Sequence, residues 1–375
     1  MVPNLRFKDF SLPWHKTAII DLLSFQNGIN GTPEQYGKGI KYISVGDILN
    51  NDYITYDKIV GSIDISQETL KNYSVTYGDI LFQRSSEIKE DIGRTNVYLD
   101  KDNKATFGGF VIRGKKIGDY NPAFFNVLLK SPSSRKSIVR LGAGAQHYNI
   151  GQENIKTLSF YFPDEEEQAK IANLFSKIDK RIQTQIKIID RLQSQIKYIK
   201  GQILNLTTTI EIKSLDQLCD ISTGKRDANE MKINGMYKFF TCSREDYCID
   251  TYSFEGEALI ISGNGELGLI KYYNGKFDAY QRTYVLQNFN CHPKYLMYVL
   301  QSKLPRKIEK EKNVGAMPYI VLKTLTSINV EIPNMHDQIE IVDILNKFEE
   351  KLENEQILLE LFKKEKSFLL KNLFV

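Results

Sequence analysis

The chain is duplicated within itself, and no other feature restricts its fold as strongly, because each copy must form the same kind of unit. Pro163-Asp164-Glu165-Glu166-Glu167-Gln168-Ala169-Lys170-Ile171 recurs 170 residues later as Pro333-Asn334-Met335-His336-Asp337-Gln338-Ile339-Glu340-Ile341. Upstream, Pro122-Ala123-Phe124-Phe125 with Leu128, Leu129 and Ser131 matches Pro293-Lys294-Tyr295-Leu296 with Val299, Leu300 and Ser302 at an offset of 171. Gly144-Ala145-x-x-Tyr148 matches Gly315-Ala316-x-x-Tyr319 at that same offset. Three segments that keep one order and nearly one spacing are a repeat rather than a coincidence.

Each copy opens a long amphipathic pattern whose apolar residues step by four and three. In the first, Ile171, Phe175, Ile178, Ile182, Ile189, Leu192, Ile196, Ile199, Ile203 and Leu206 form a heptad seam with Gln185 as its polar member. In the second, Ile341, Leu345, Phe348, Leu352, Leu359, Phe362, Leu369 and Leu373 repeat it, with Glu355 in place of Gln185 and Lys366 in place of Ile196. Neither run contains Pro and the first contains only Gly201, so each predicts a helix of about 40 residues, roughly 60 Å long. An apolar stripe of that length needs a cover, and the economical one is the other helix, as a coiled coil. The competing arrangement is an ordinary helical bundle. Two equivalent domain-helix units pack most simply antiparallel about a pseudo-twofold axis. The expected fold class is α+β, with two domains of mixed sheet and helix, 1–163 and 208–332. Between and after them run two long antiparallel helices, 164–207 and 333–375.

Both halves carry short β-type runs set off by glycine. They are Lys41-Tyr42-Ile43-Ser44-Val45-Gly46-Asp47-Ile48 and Tyr77-Gly78-Asp79-Ile80-Leu81-Phe82, then Tyr237-Lys238-Phe239-Phe240 and Gly256-Glu257-Ala258-Leu259-Ile260-Ile261. Loops between such elements usually present the functional groups. Those of the first half offer Asn27, Thr32, Lys41, Ser44, Arg84, Ser85, Arg94, Thr95, Gln146 and His147 as candidate DNA contacts. Those of the second offer Lys225, Arg226, Ser243, Arg244, Asn264, Lys271, Gln281 and Arg282. Arg suits guanine edges, and Asn or Gln suits adenine. Any one of them reads equally well as a solvated turn residue; the set carries the argument.

Composition narrows the class without naming a function. Hydrophobic residues at 42% and charged residues at 26% are unlike a disordered or membrane chain. No run reaches the roughly 18 apolar residues of a spanning helix, and Met1 to Arg6 lacks a signal-peptide core, so a cytoplasmic protein is expected. Cys219, Cys242, Cys248 and Cys291 form no CxxC pair, which speaks for reduced thiols over a disulfide framework or zinc site. A net charge of +4 permits a polyanionic partner.

Catalytic patterns are incomplete, and neither a catalytic nor a metal site is expected. Asn121-Pro122-Ala123-Phe124 is close to the Asn-Pro-Pro-Phe/Tyr motif of amino-methyltransferases but lacks its second Pro and a glycine-rich cofactor loop. Asp79 with Glu87-Ile88-Lys89 loosely fits a metal-dependent nuclease pattern, yet the second half has no equivalent. Gly31 to Gly37-Lys38-Gly39 is one residue too long for a phosphate-binding loop and lacks the following Ser/Thr. His15, His147, His292 and His336 are dispersed.

Taken together, the half-repeat, the Pro-x-x-x-acid-Gln-x-x-Ile entry into each long helix and the Gly-Asp-Ile runs at Gly46 and Gly78 give a family likeness. The chain resembles the specificity subunit of type I restriction-modification enzymes along essentially its whole length. Gln26-Asn27-Gly28-Ile29-Asn30-Gly31-Thr32-Pro33 also looks like that family's glycine-Thr-Pro loop. The second half departs from it, with Ser222-Thr223-Gly224-Lys225-Arg226 lacking Thr-Pro and Gly256-Glu257 at the Gly-Asp position. The resemblance implies two target recognition domains that each read half of a split DNA sequence, with the helices setting the gap. It also implies a non-catalytic chain without cofactors of its own. Two modification subunits would use S-adenosylmethionine to methylate adenine, and restriction subunits would use ATP and Mg to translocate and cut double-stranded DNA; no membrane is involved. The rival readings are a single-chain nuclease or methyltransferase, and a coiled-coil adaptor that binds no DNA.

Overall fold

The structure, a computed structural model, describes residues 1–202, 210–311 and 319–375. Ile203, Leu206, Gly315 and Ala316 of the sequence patterns lie outside the described residues. Two compact units result: residues 1–186 with 357–375, and residues 187–356. Each therefore takes one globular segment and a part of both long helices, Glu165–Gln202 and Met335–Asn372. Among the described residues no helix is long and apolar enough to cross a membrane.

In the first unit, the antiparallel sheet runs in the order Leu23–Asn27, Val111–Lys116, Ile80–Gln83, Thr95–Val97. A second sheet orders Ser62–Ile63, Tyr36–Ile43 and Thr106–Phe107. In the second unit one six-stranded sheet runs Asp220–Thr223, Thr283–Gln287, Phe254–Ser262, Ile270–Ala279, Tyr237–Phe240, Tyr247–Ile249. The sequence run Lys41 to Ile48 is not one strand. The strand ends at Ile43 and a helix runs Val45–Asn50, because Ser44 and Asp47 form a reciprocal capping box that starts a helix.

The repeated Pro-to-Gln segment has one structural duty in both units. A short strand closes on the domain's first strand, Ser159–Phe162 on His15–Ala18 and Asn329–Pro333 on Ile210–Ser214. The side chains of Asp164 and Asn334 then accept from the backbone N–H of Glu167 (2.8 Å) and Asp337 (3.0 Å) and start the long helix. One turn on, Gln168 and Gln338 are 4% and 2% exposed. The Gln168 Oε1 accepts from Asn121 N at 2.9 Å while its Nε2 donates to Pro163 O at 3.0 Å. Gln338 makes the same pair with His292 N and Pro333 O, both at 2.8 Å. Each amide thus joins a strand end, the long helix and the entry to a shorter helix, Pro122–Lys130 or Pro293–Glu311, whose first residue is proline.

The first unit adds a clamp from the N-terminal residues. Glu167, fully buried, receives two guanidinium bonds from Arg6 (2.8 and 2.7 Å) and one from the Trp14 indole (3.1 Å). Trp14, Phe124 and Phe175 all pack their rings on Phe374 at 5.9 to 6.2 Å.

Within the first unit the helices run antiparallel: Phe175 meets Phe374, Asp179 pairs with Lys366 at 2.5 Å, and Arg181 lies over the Phe362 ring. Lys366, a polar seam position, is matched in this way by a carboxylate. In the second unit Lys200 pairs with Glu349 at 2.8 Å. Of the apolar seam residues, Ile171, Phe175, Ile178, Ile189, Leu192, Ile196, Ile341, Leu345 and Leu373 are buried, and Ile182, Ile199, Phe348, Leu352, Leu359, Phe362 and Leu369 are half-buried.

Replacing Gln168 or Gln338 by Ala strands a buried N–H and a buried carbonyl, each costing about 1–3 kcal/mol. Thermal unfolding followed by circular dichroism is expected to shift down by several degrees for either variant, while Gln356→Ala at an exposed helix position leaves it unchanged.

Candidate nucleic-acid interface

At one end of the main sheet, three chain segments cross in the same way in each unit. In the first, Gly28 N donates to Val111 O (3.1 Å), Val111 N to Gly108 O (2.8 Å), Arg84 N to Phe110 O (2.9 Å) and Ile150 N to Arg84 O (3.0 Å). In the second, Gly224 N donates to Thr283 O (3.1 Å), Thr283 N to Tyr280 O (2.8 Å), Gly263 N to Arg282 O (3.0 Å) and Ile320 N to Gly263 O (2.8 Å). Each set ties down a four-residue turn, Gly108-Gly109-Phe110-Val111 or Tyr280-Gln281-Arg282-Thr283, with a glycine passing beneath it. A Cβ on Gly28 would stand 2.1 Å from Gly108 O, and one on Gly224 2.0 Å from Ala279 O. No side chain fits at either crossing.

Around the first turn the structure gathers Asn27, Arg84, Ser85, Gln146 and His147. Asn27 ends the strand that leads into Gly28. The exposed Arg84 reaches Gly109 O with its Nη1 at 3.3 Å. Ser85 lies in a two-residue strand paired with Tyr148–Asn149, and its hydroxyl donates to Asn149 Oδ1 at 2.5 Å. That pairing brings the exposed Gln146 and His147 alongside. The remaining candidates of this half have partners within the fold. Thr32 caps a 3-10 turn, Lys41 donates to Ile59 O at 2.7 Å, and Ser44 donates to Asp47 at 2.7 Å. Arg94 pairs with Asp91 at 2.7 Å, and Thr95 is buried in a strand.

Around the second turn lie Lys225, Asn264, Gln281 and Arg282, the last two beside a cleft of about 170 Å³ that Thr223, Tyr284 and Tyr319 also line. Arg226 is instead a structural bracket. Its Nε donates to the buried Asp278 at 3.1 Å and its Nη2 to Thr251 at 3.0 Å, and the Asp278 bond holds the guanidinium pKa above its ordinary value. Arg244 pairs with Glu266 at 3.0 Å, Lys271 with Asp246 at 2.8 Å, and Ser243 accepts from Glu245 N at 3.1 Å.

Two exposed aromatics escaped sequence reading as contact residues: Phe110, 67% exposed at the tip of the first turn, and Tyr319, 66% exposed beside the second. The signal for Phe110 was the glycine pair before it. A Cβ on Gly109 would meet the end of the exposed Asn30 side chain at 2.3 Å.

The nuclease-like carboxylate has a structural role. Asp79 is buried, accepts from Thr76 N and Lys116 N at 3.0 Å each, and has its pKa raised chiefly by burial. Glu87 is exposed. Asn121 caps the helix that Pro122 begins. Among the described residues no group of three or more His, Cys, Asp or Glu is placed to hold a metal ion.

Each of the two units is of mixed sheet and helix and carries a loop cluster at one end of its main sheet. The family model for the type I restriction modification DNA specificity domain matches residues 16–194 and again 208–362, so the chain belongs to that family. Among similar curated proteins, the type I restriction enzyme EcoDI specificity subunit of Escherichia coli is 35% identical over 146 residues, 39% of this chain and 32% of that one. A Mycoplasma pneumoniae protein named as a putative type I specificity subunit is 29% identical over 42% of this chain and 45% of its own length. The matched stretches thus span about a third to a half of these two relatives. The crystal structure of a type I restriction-modification S subunit from M. genitalium superposes with a TM-score of 0.64 over 100% of this chain and 99% of that one, at 18% identity, and so shares the fold. Specificity subunits are the non-catalytic parts of their complexes and need no cofactor themselves.

Gly28→Ala and Gly224→Ala are each expected to lower the melting temperature by about 5 °C or more, since backbone rather than a flexible side chain must yield. Gly201→Ala, where a Cβ meets nothing within 4 Å, is expected to hold or raise it.

Proposed function

We propose that the chain is the DNA-reading subunit of a type I restriction-modification complex and that its target is bipartite, one half-site per globular domain. The observation that carries this reading is the recurrence of one four-bond backbone crossing in two units with different exposed side chains on it: one frame, two chemistries. Segments 1–163 and 208–332 act as the target recognition domains, and 164–207 and 333–375 as the spacer. Asn27, Arg84, Ser85, Gln146, His147, Lys225, Asn264, Gln281 and Arg282 are the proposed contact set. Residues already tied into the fold, such as Thr95 and Arg226, support the frame.

The physics of two linked readers fits this role. Duplex DNA repeats about every 34 Å, so a wrong spacing turns one reader off its groove. Linkage makes the second engagement intramolecular, so that two weak readers become one selective binder. A helix of 38 residues is about 57 Å long, a length that serves as a ruler. The complex works in the cytoplasm. Chemistry resides in its partners: two modification subunits that use S-adenosylmethionine, and restriction subunits that use ATP and magnesium.

Co-expression with the modification subunit, followed by genome-wide mapping of methylated adenine, tests the proposal. The expected outcome is a two-part motif with a constant gap that disappears when this chain is omitted. Adding one heptad to both helices is expected to lengthen the gap by about 3 base pairs, because seven residues rise about 10.5 Å and base pairs are spaced about 3.4 Å apart. A contiguous motif, or a gap indifferent to helix length, contradicts the ruler; absence of chain-dependent methylation points to an adaptor.

A further inference from the structure

We infer that Phe110 and Arg282 are the equivalent specificity-determining residues of the two domains. Phe110 makes an apolar contact with a thymine methyl in one half-site, and Arg282 makes a hydrogen-bonded contact with a guanine edge in the other. The inference rests on the bipartite reading proposed above and assigns chemistry within it.

The backbone makes the two positions equivalent. Phe110 O and Arg282 O accept the N–H of Arg84 and Gly263 at 2.9 and 3.0 Å, and each residue is third in a turn closed by a 2.8 Å bond. The same glycine crossing lies beneath both turns. The backbone path is therefore held constant while the side chains on it are exchanged, which is what a fixed scaffold with variable readout requires.

Neither side chain has work inside the fold. Phe110 is 67% exposed, although its turn is pinned on both sides and such a large apolar group gains nothing from water. Gly109 leaves it as the sole side chain on the tip. Among the described residues the Arg282 guanidinium has no hydrogen bond or ion pair, whereas Arg226, Arg244 and Lys271 are all paired. An unpaired guanidinium with five donors in a fork matches guanine O6 and N7, and an apolar tip matches the thymine methyl. Arg84, held over the first turn by its bond to Gly109 O, stands next to Phe110 with donors left for a phosphate.

The test uses the complete complex of this chain with its modification subunits and measures binding to its target duplex. Thymines are replaced one at a time by uracil, which lacks only the methyl, and guanines by 7-deazaguanine, which lacks only the N7 acceptor. With the unaltered chain, one uracil in one half-site is expected to weaken binding about fourfold, the worth of one buried methyl. With Phe110→Ala that penalty vanishes and all others stay, while Phe110→Leu keeps part of it. With Arg282→Ala, binding falls about tenfold, and a single 7-deazaguanine penalty disappears from the opposite half-site. Both residues are exposed, so the variants are expected to melt with the unaltered chain. The inference is overturned if Phe110→Ala leaves every uracil penalty intact, or if both variants act in the same half-site. A complex that discriminates no bipartite target at all overturns the underlying reading as well, and is recognised before any variant is made.

Discussion

A buried amide side chain is the joint on which each unit depends. Gln168 and Gln338 sit where three elements meet, and a side-chain amide has both an acceptor and donors to offer there. Helix starts leave backbone N–H groups without intrahelical partners, and Asn121 and His292 supply N–H groups just ahead of proline-initiated helices. In the same place the proline at the strand's end, Pro163 or Pro333, presents a carbonyl. A glutamine one turn into the long helix satisfies both at 2.8 to 3.0 Å, fixing the domain on the helix in one orientation. An apolar residue would leave both backbone groups stranded, and a carboxylate could not donate.

Fixed attachment matters for the proposed function because the loops proposed to read DNA have their own backbone held by the glycine crossing. Long helices alone do not orient a domain; the amide and the short closing strand do. In the first unit the Arg6–Glu167 pair reinforces the joint. With side-chain exposures of 10% and 1%, that pair is far from a solvent-screened surface bridge, and breaking one partner would leave a buried charge.

Much of this was legible from sequence because duplication marks constraint. The repeat located both joints, both long helices and the seam, since Pro, Gln and heptad spacing each answer to a local physical demand. Legibility failed where tertiary context decides. Ser44 stands in a run that reads as β-type and is a helix cap; Thr95 reads as a loop residue and is the buried first residue of a strand; Arg226 reads as a loop cation and its guanidinium is bonded to Asp278. Phe110 was missed for the converse reason: an aromatic next to a β-type run is usually core, and here the closed turn holds it outside.

Base-specific interference mapping on the assembled complex tests the central claim most directly: guanines and thymines of the target are modified chemically at random, and bound duplexes are compared with free ones. The account predicts two clusters of interfering bases separated by a silent gap, one cluster assigned to each domain. A single unbroken cluster would contradict it, because two units carrying the same crossing would then be reading one site rather than two.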